Sequence, residues 1–136
     1  MDSALWYRAF ADAAAIAHLA FLVYVVCGGF LTWRYPRTIA LHLAAVGWGF
    51  TGLLVGIDCP LTRLESWARV RAGQAPLPSS GFIDHYLTGV LYPESAAGVV
   101  QILVALAVFA SWAGYAVLRV RARAPLSHTR WGGASQ

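Results

Sequence analysis

The side chains that could do chemistry in this sequence are few and lie far apart along the chain. His18 stands inside a long apolar segment, whereas Cys59, Asp84 and His85 lie in a more polar stretch. Two histidines can hold a haem iron axially, or can hold a metal ion together with cysteine and carboxylate ligands. If the segment around His85 folds back against the first apolar segment, such a site can form. Our hypothesis is therefore that His18 and His85 form a haem- or metal-binding site.

His42 does not join that hypothesis, because of its position in the second apolar segment. It lies about 6 Å inside one end of that segment, whereas His18 lies in the opposite half of the first one, so roughly 15 Å separates them along the membrane normal. We interpret His42 as an interfacial hydrogen-bonding residue. The residue types of Cys59, His85 and Asp84 also occur in nucleophilic catalysis. No spacing demands that chemistry, and we predict no catalytic residue.

The composition indicates whether the chain folds in water or in a lipid bilayer. The 136-residue chain is 59% hydrophobic and 12% charged, with a mean hydropathy of +0.59, whereas soluble domains are about 25% charged. This balance excludes a water-soluble enzyme, a disordered tail and a disulfide-rich secreted module. The net charge of +4 comes from arginines near the ends of apolar segments. Such arginines anchor a protein in lipid headgroups, so we predict a bilayer and no nucleic acid as partner.

Three uncharged runs set the predicted architecture, since a helix needs about 20 apolar residues to cross a membrane. The runs cover residues 13–33, 38–57 and 95–118. We predict an all-α membrane protein with three transmembrane helices and one or two short amphipathic helices that are interfacial or re-entrant. The alternative is a four-helix transmembrane bundle that uses residues 82–92, but such a helix would be only about 16 Å long.

The same runs define the predicted domain organisation and orientation. Residues 1–118 form a single membrane domain with a polar loop over 58–94, and residues 119–136 form a basic tail. With three spans, the side that holds the tail carries six arginines, and the other side carries four arginines and all six acids. The positive-inside rule then places the C-terminus in the cytoplasm. We predict a multi-pass protein of the bacterial inner membrane.

Two local patterns predict how the helices begin and pack. Thr62 and Glu65 have the spacing of a capping box at the start of a helix over about 62–72, and Glu65 can pair with Arg69 one turn later. Apolar residues recur at helical spacing over 82–92 and predict an amphipathic helix. Small residues on one face of a membrane helix allow close helix packing. In the second helix these are Gly49, Gly52 and Gly56.

The motifs of the loop also resemble a known family. They are Cys-Pro-Leu-Thr, with Cys59, Pro60 and Thr62 followed by Glu65, and Gly-Phe-Ile-x-His-Tyr, with Gly81, Asp84, His85 and Tyr86. With His18 and His42, they make the chain similar to an uncharacterised family of short bacterial integral membrane proteins. That family is the domain of unknown function numbered twenty-seven eighty-four. The resemblance covers roughly residues 5–118 and implies an integral membrane protein with no specified activity.

The sequence thus favours a non-enzymatic role. We expect either an accessory or scaffold subunit that contacts other membrane proteins or its own copies, or a binder of a small hydrophobic ligand such as a quinone or lipid. The alternative is a haem- or metal-binding redox protein that uses His18 and His85.

Overall fold

A computed structural model describes residues 2–124, and these residues are helical apart from turns and loops. Five α-helices follow one another along the chain: α1 (Ser3–Arg34), α2 (Ile39–Val55), α3 (Pro60–Arg71), α4 (Gly81–Tyr86) and α5 (Ala97–Arg123). Short 3-10 turns at Pro36–Thr38 and Glu94–Ala96 lead into α2 and α5. Within the described residues no strand is present, which confirms the predicted all-α class. The part of the basic tail beyond residue 124 lies outside the described residues.

Three of these helices are long and apolar enough to cross a membrane, namely Ser3–Arg34, Pro36–Val55 and Glu94–Arg123. They carry large apolar side chains on their outer faces, and Leu54, for example, is 82% exposed. An apolar surface of this extent is one that lipid would cover. The six residues of α4 span only about 9 Å, so the structure has three long helices, as predicted, rather than a four-helix bundle.

Helix α1 is the centre of the fold, because α2, α3 and α5 all pack against it. Its 32 residues extend roughly 48 Å, well beyond the ~30 Å hydrocarbon thickness. Helix α3 covers the first half of α1 in antiparallel direction: Trp67 packs edge-on against Tyr7, and Thr62 reaches His18. The small side chain of Ala68, which is fully buried, fits this close contact. The first half of the long α1 therefore packs against α3 of the polar loop.

His42 holds α1, α2 and α5 together in the other half of the molecule. Its side chain is fully buried. The indole Nε1 of Trp112 donates to His42 Nδ1 at 3.0 Å, so His42 Nε2 carries the proton and donates to the Val25 carbonyl at 3.0 Å. An indole N–H can only donate, which fixes this tautomer. His42 thus makes its hydrogen bonds from a buried position between three helices.

The glycines that let helices approach closely are not the ones that the sequence suggested. A Cβ on Gly29 would lie 2.8 Å from Ser111 Cβ, and one on Gly114 would lie 2.8 Å from Trp33 Cε2. These glycines let the parallel helices α1 and α5 approach each other closely. The predicted packing residues were Gly49, Gly52 and Gly56. Around Gly49 and Gly56 a Cβ would meet nothing within 4 Å, and at Gly52 it would meet only the Ile57 carbonyl, at 3.4 Å. Within the described chain they do not pack against another helix.

The start of α3 also differs from the prediction. The helix begins at Pro60 with Cys59 as its N-cap, and no side chain caps it. Proline at the first helical position has no N–H that needs a partner, so the capping box of Thr62 and Glu65 is not formed. Both side chains are instead buried inside the fold. The predicted pairing of Glu65 with Arg69 is confirmed, with 3.8 Å between Oε1 and Nη1.

Helix α4 is shorter than the predicted amphipathic helix over 82–92. It ends at Tyr86, and residues 87–92 form a turn in which Thr88 bridges to Tyr92. Gly89 has a φ of 83°, a left-handed conformation that a helix cannot continue through. The apolar spacing beyond Tyr86 therefore does not mark a helix, and Val90 and Leu91 are exposed.

Candidate functional site: a cavity beneath helix α4

A cavity of about 450 Å³ lies between the C-terminal half of α2 and the rest of the helices. Helix α1 contributes one wall and the first turns of α5 contribute another. Residues 79–84, which include the start of α4, close the loop end. The side chains and backbone that line it in these elements include His18, Phe21 and Leu22 of α1, Trp48, Gly49, Gly52, Leu53 and Gly56 of α2, and Ala97 and Gln101 of α5. Asp58, Cys59, Thr62, Ser79, Ser80, Gly81, Phe82, Ile83, Asp84, Thr88 and Tyr92 line the loop end.

The cavity exists because α2 is packed at one end only. Near His42, the side chain of Val46 joins a core with Val25 and Val108, which ties α2 to α1 and α5. Farther along α2, the side facing the bundle carries glycines in place of side chains that could fill the space. Gly56 then ends the helix in a left-handed conformation with φ 69°. The glycine pattern of α2 thus produces an open space rather than a helix contact.

His18 is the buried polar side chain of α1 in this cavity, with 4% of its surface exposed. Its Nδ1 lies 3.4 Å from Thr62 Oγ1. Its ring stacks on the ring of Phe82 at 4.1 Å between centroids. Among residues 2–124, the hydrogen-bond contact of the His18 ring is made through Nδ1 and not through Nε2. His18 therefore keeps one ring nitrogen available to a molecule in the cavity.

A polar cluster of Glu65, Arg69 and Tyr86 fixes α4 over the cavity. The Tyr86 hydroxyl donates to Glu65 Oε1 at 2.6 Å and accepts from Arg69 Nη1 at 3.3 Å. Arg69 Nε also donates to the Ala75 carbonyl at 3.0 Å, which holds the linker before α4. Burial, followed by the hydrogen bond to the Glu65 carboxylate, raises the pKa of Tyr86 to about 12. The phenol therefore stays protonated and keeps donating at neutral pH.

The structure brings together only some of the residues that the sequence singled out. Thr62, Cys59 and Asp84 line the same cavity as His18, and Gly81, with φ 88°, starts α4. His85 is exposed on α4, packs against Tyr86 with 4.6 Å between ring centroids, and does not line the cavity.

The hypothesis of a shared His18 and His85 site does not match this arrangement. Thr62 and Phe82 contact His18, and His85 does not. Within the described part of the chain, no three His, Cys, Asp or Glu side chains are grouped closely enough to hold a metal ion. Both cysteines, Cys27 and Cys59, are free.

Sequence reasoning missed two aromatic side chains of the site. Phe82 covers the His18 ring, and Trp48 lines the cavity from α2. Apolar periodicity shows that a residue is buried, but it does not show whether a core or a cavity lies beside it. The signal that could have found Phe82 is its place directly after Gly81 in the Gly-Phe-Ile motif.

The fold and the cavity define a small all-α protein with three helices able to cross a membrane and a structured loop that covers a space between them. The family described as Protein of Unknown function (DUF2784) matches residues 8–117, which include all the cavity residues named above. The chain belongs to this family, which confirms the resemblance seen in the sequence. No curated protein and no solved structure matches the chain.

Proposed function

We propose that this protein binds a small amphipathic, lipid-soluble molecule in the cavity beneath α4. The observation that carries the proposal is the cavity itself, whose volume of about 450 Å³ lies within the roughly 300–1,000 Å³ of small-molecule sites. Its α2 end is lined by apolar groups such as Trp48 and Leu53, and its loop end by polar groups such as Thr62 and Asp84. A ligand with an apolar body and one polar end matches that division. The role is binding and not catalysis.

The depth of the cavity supports a ligand that enters from lipid. Trp48 lies seven residues, or roughly 10 Å, inside the loop-side end of the second span at Val55. That distance is about two thirds of the way to the middle of a ~30 Å hydrocarbon core. An apolar chain can therefore lie beside α2 while its polar end stays near the loop.

The distribution of charge supports the orientation of the site. We propose that the C-terminus lies in the cytoplasm of a bacterial cell and that the loop over 58–94 faces outward. Arg34 and Arg37, between α1 and α2, share a side with the arginines at the end of α5, whereas the acids lie at the opposite ends of the helices. The ligand then occupies the outer leaflet of the inner membrane.

The proposal is tested by extracting small molecules from the purified protein. Wild type, Gly49→Leu and Gly47→Leu are purified from membranes in mild detergent, extracted with organic solvent and compared by mass spectrometry. Both glycines lie in α2 and both have open space around a Cβ, but only Gly49 lines the cavity. We expect a molecule enriched in wild type and in Gly47→Leu but lost from Gly49→Leu. Identical extracts from all three would contradict the proposal.

The same samples distinguish the two other roles. An absorption band of haem, or a stoichiometric metal that disappears in His18→Ala and His85→Ala, would favour a redox protein. A stable partner that co-purifies equally with wild type and Gly49→Leu, with no extracted ligand, would favour an accessory subunit.

A further inference from the structure

We infer that the polar end of the ligand is cationic, an amine or a quaternary ammonium group. This inference rests on the proposed function and adds the headgroup class. Two carboxylates, Asp58 and Asp84, line the loop end of the cavity. Among the described lining residues there is no arginine, and the whole chain contains no lysine. An anionic headgroup would meet like charges there, whereas a cationic one would be attracted.

The two carboxylates come from different elements of the loop. Asp58 lies between α2 and α3, and Asp84 lies on α4. Both are exposed, so they stand at the mouth of the cavity and not in its interior. Both contribute a negative charge to the same end of the cavity, and a cation there is attracted to each of them.

His18 points to the same class of ligand from inside the cavity. Among residues 2–124, its buried ring makes its hydrogen-bond contact through Nδ1 and not through Nε2. If Nδ1 donates to Thr62 Oγ1, Nε2 is an acceptor that the N–H of an amine, but not a quaternary ammonium group, can satisfy. The ring of Tyr92 lines the same end. Aromatic faces are the groups with which proteins bind quaternary ammonium ions.

The probes for this inference are long-chain amphiphiles of equal chain length with bromine on the chain, bearing a trimethylammonium, a hydroxyl or a sulfate group. Bromine quenches nearby tryptophan fluorescence, and Trp48 lines the cavity. Each probe is titrated into the full-length protein in neutral detergent, with Trp48→Phe as the control for the source of quenching. We expect the ammonium probe to bind at least about tenfold more tightly than the sulfate probe, a ratio equal to ~1.4 kcal/mol.

Matched variants assign the preference to the two carboxylates. The double variant Asp58→Asn with Asp84→Asn should lose the preference for the ammonium probe. The double variant Asp12→Asn with Glu94→Gln changes charge equally outside the cavity lining and should retain it. If all headgroups bind equally, or the sulfate binds best, and Gly49→Leu still abolishes binding, the cationic headgroup is refuted and the ligand site stands. If Gly49→Leu leaves the quenching of every probe unchanged, both the site and the headgroup class are refuted.

Discussion

Replacing each of the buried histidines His18 and His42 by phenylalanine should separate the stability of the fold from the binding of a ligand. His42→Phe keeps an aromatic ring between α1, α2 and α5 but loses the bonds to Trp112 and Val25. Hydrogen bonds between membrane helices contribute about 0.6 kcal/mol on average and up to about 1.7 kcal/mol. Losing two should lower the free energy of unfolding by about 1 to 3 kcal/mol, or about 5- to 150-fold in the equilibrium constant.

His18→Phe should behave in the opposite way. A phenyl ring preserves the stack on Phe82, and only the long 3.4 Å contact with Thr62 is lost. We expect a loss of stability of less than about 1 kcal/mol together with a clear loss of the extracted ligand. His85→Phe, on the exposed surface of α4, is the matched control and should change stability by no more than about 0.5 kcal/mol.

The assay for these three variants is unfolding by sodium dodecyl sulfate in mixed micelles, followed by far-ultraviolet circular dichroism, with the ligand extraction run on the same preparations. The reasoning is refuted if His18→Phe destabilises the protein as much as His42→Phe does. It is also refuted if His42→Phe removes the ligand while leaving the unfolding curve unchanged.

Three further perturbations have defined outcomes. Gly29→Ala places a Cβ that collides with Ser111, so it should cost about 1–3 kcal/mol of packing energy, offset in part by the ~1 kcal/mol higher helix propensity of alanine. Gly49→Ala should not destabilise the protein. Equal losses of stability in the two variants would contradict the packing of α1 against α5. Because the pKa of Tyr86 is raised from 10.0 to about 12, its stabilising effect is complete below pH 10 and is lost as the pH rises through about 12. Ultraviolet absorbance should show this late phenolate, and a titration that Tyr86→Phe leaves unaltered would refute it. In intact cells an impermeant thiol reagent should label Cys59, and labelling only after lysis would reverse the orientation.

The architecture was predictable because it depends on length and apolarity alone. The three long helices match the three uncharged runs, and the short α4 matches the argument that 11 residues cannot cross a bilayer. The predicted end of α4 was wrong because the apolar spacing continued past Tyr86, whereas Gly89 turns the backbone. The left-handed conformation of Gly89 prevents a helix that the apolar spacing alone would have continued.

The candidate site was only partly predictable because its parts come from distant segments. His18 and His42 look alike in sequence. Trp112, 70 positions after His42, and the Val25 carbonyl together engage both ring nitrogens of His42, whereas Thr62 engages His18 through one nitrogen only. Small residues on α2 predicted close approach, but a row of glycines fits either a neighbouring helix or an open space. Whether Gly49 faces a helix or an open space depends on how α2 packs, and composition does not show that packing.

The most direct test of the ligand site is the mass of the intact protein, measured by native mass spectrometry after release from membranes in mild detergent. The wild type and Gly47→Leu should each carry one small amphipathic molecule that Gly49→Leu lacks. A wild-type protein detected at the mass of the polypeptide alone, or a Gly49→Leu variant that keeps the same bound molecule, would contradict a binding site beneath α4.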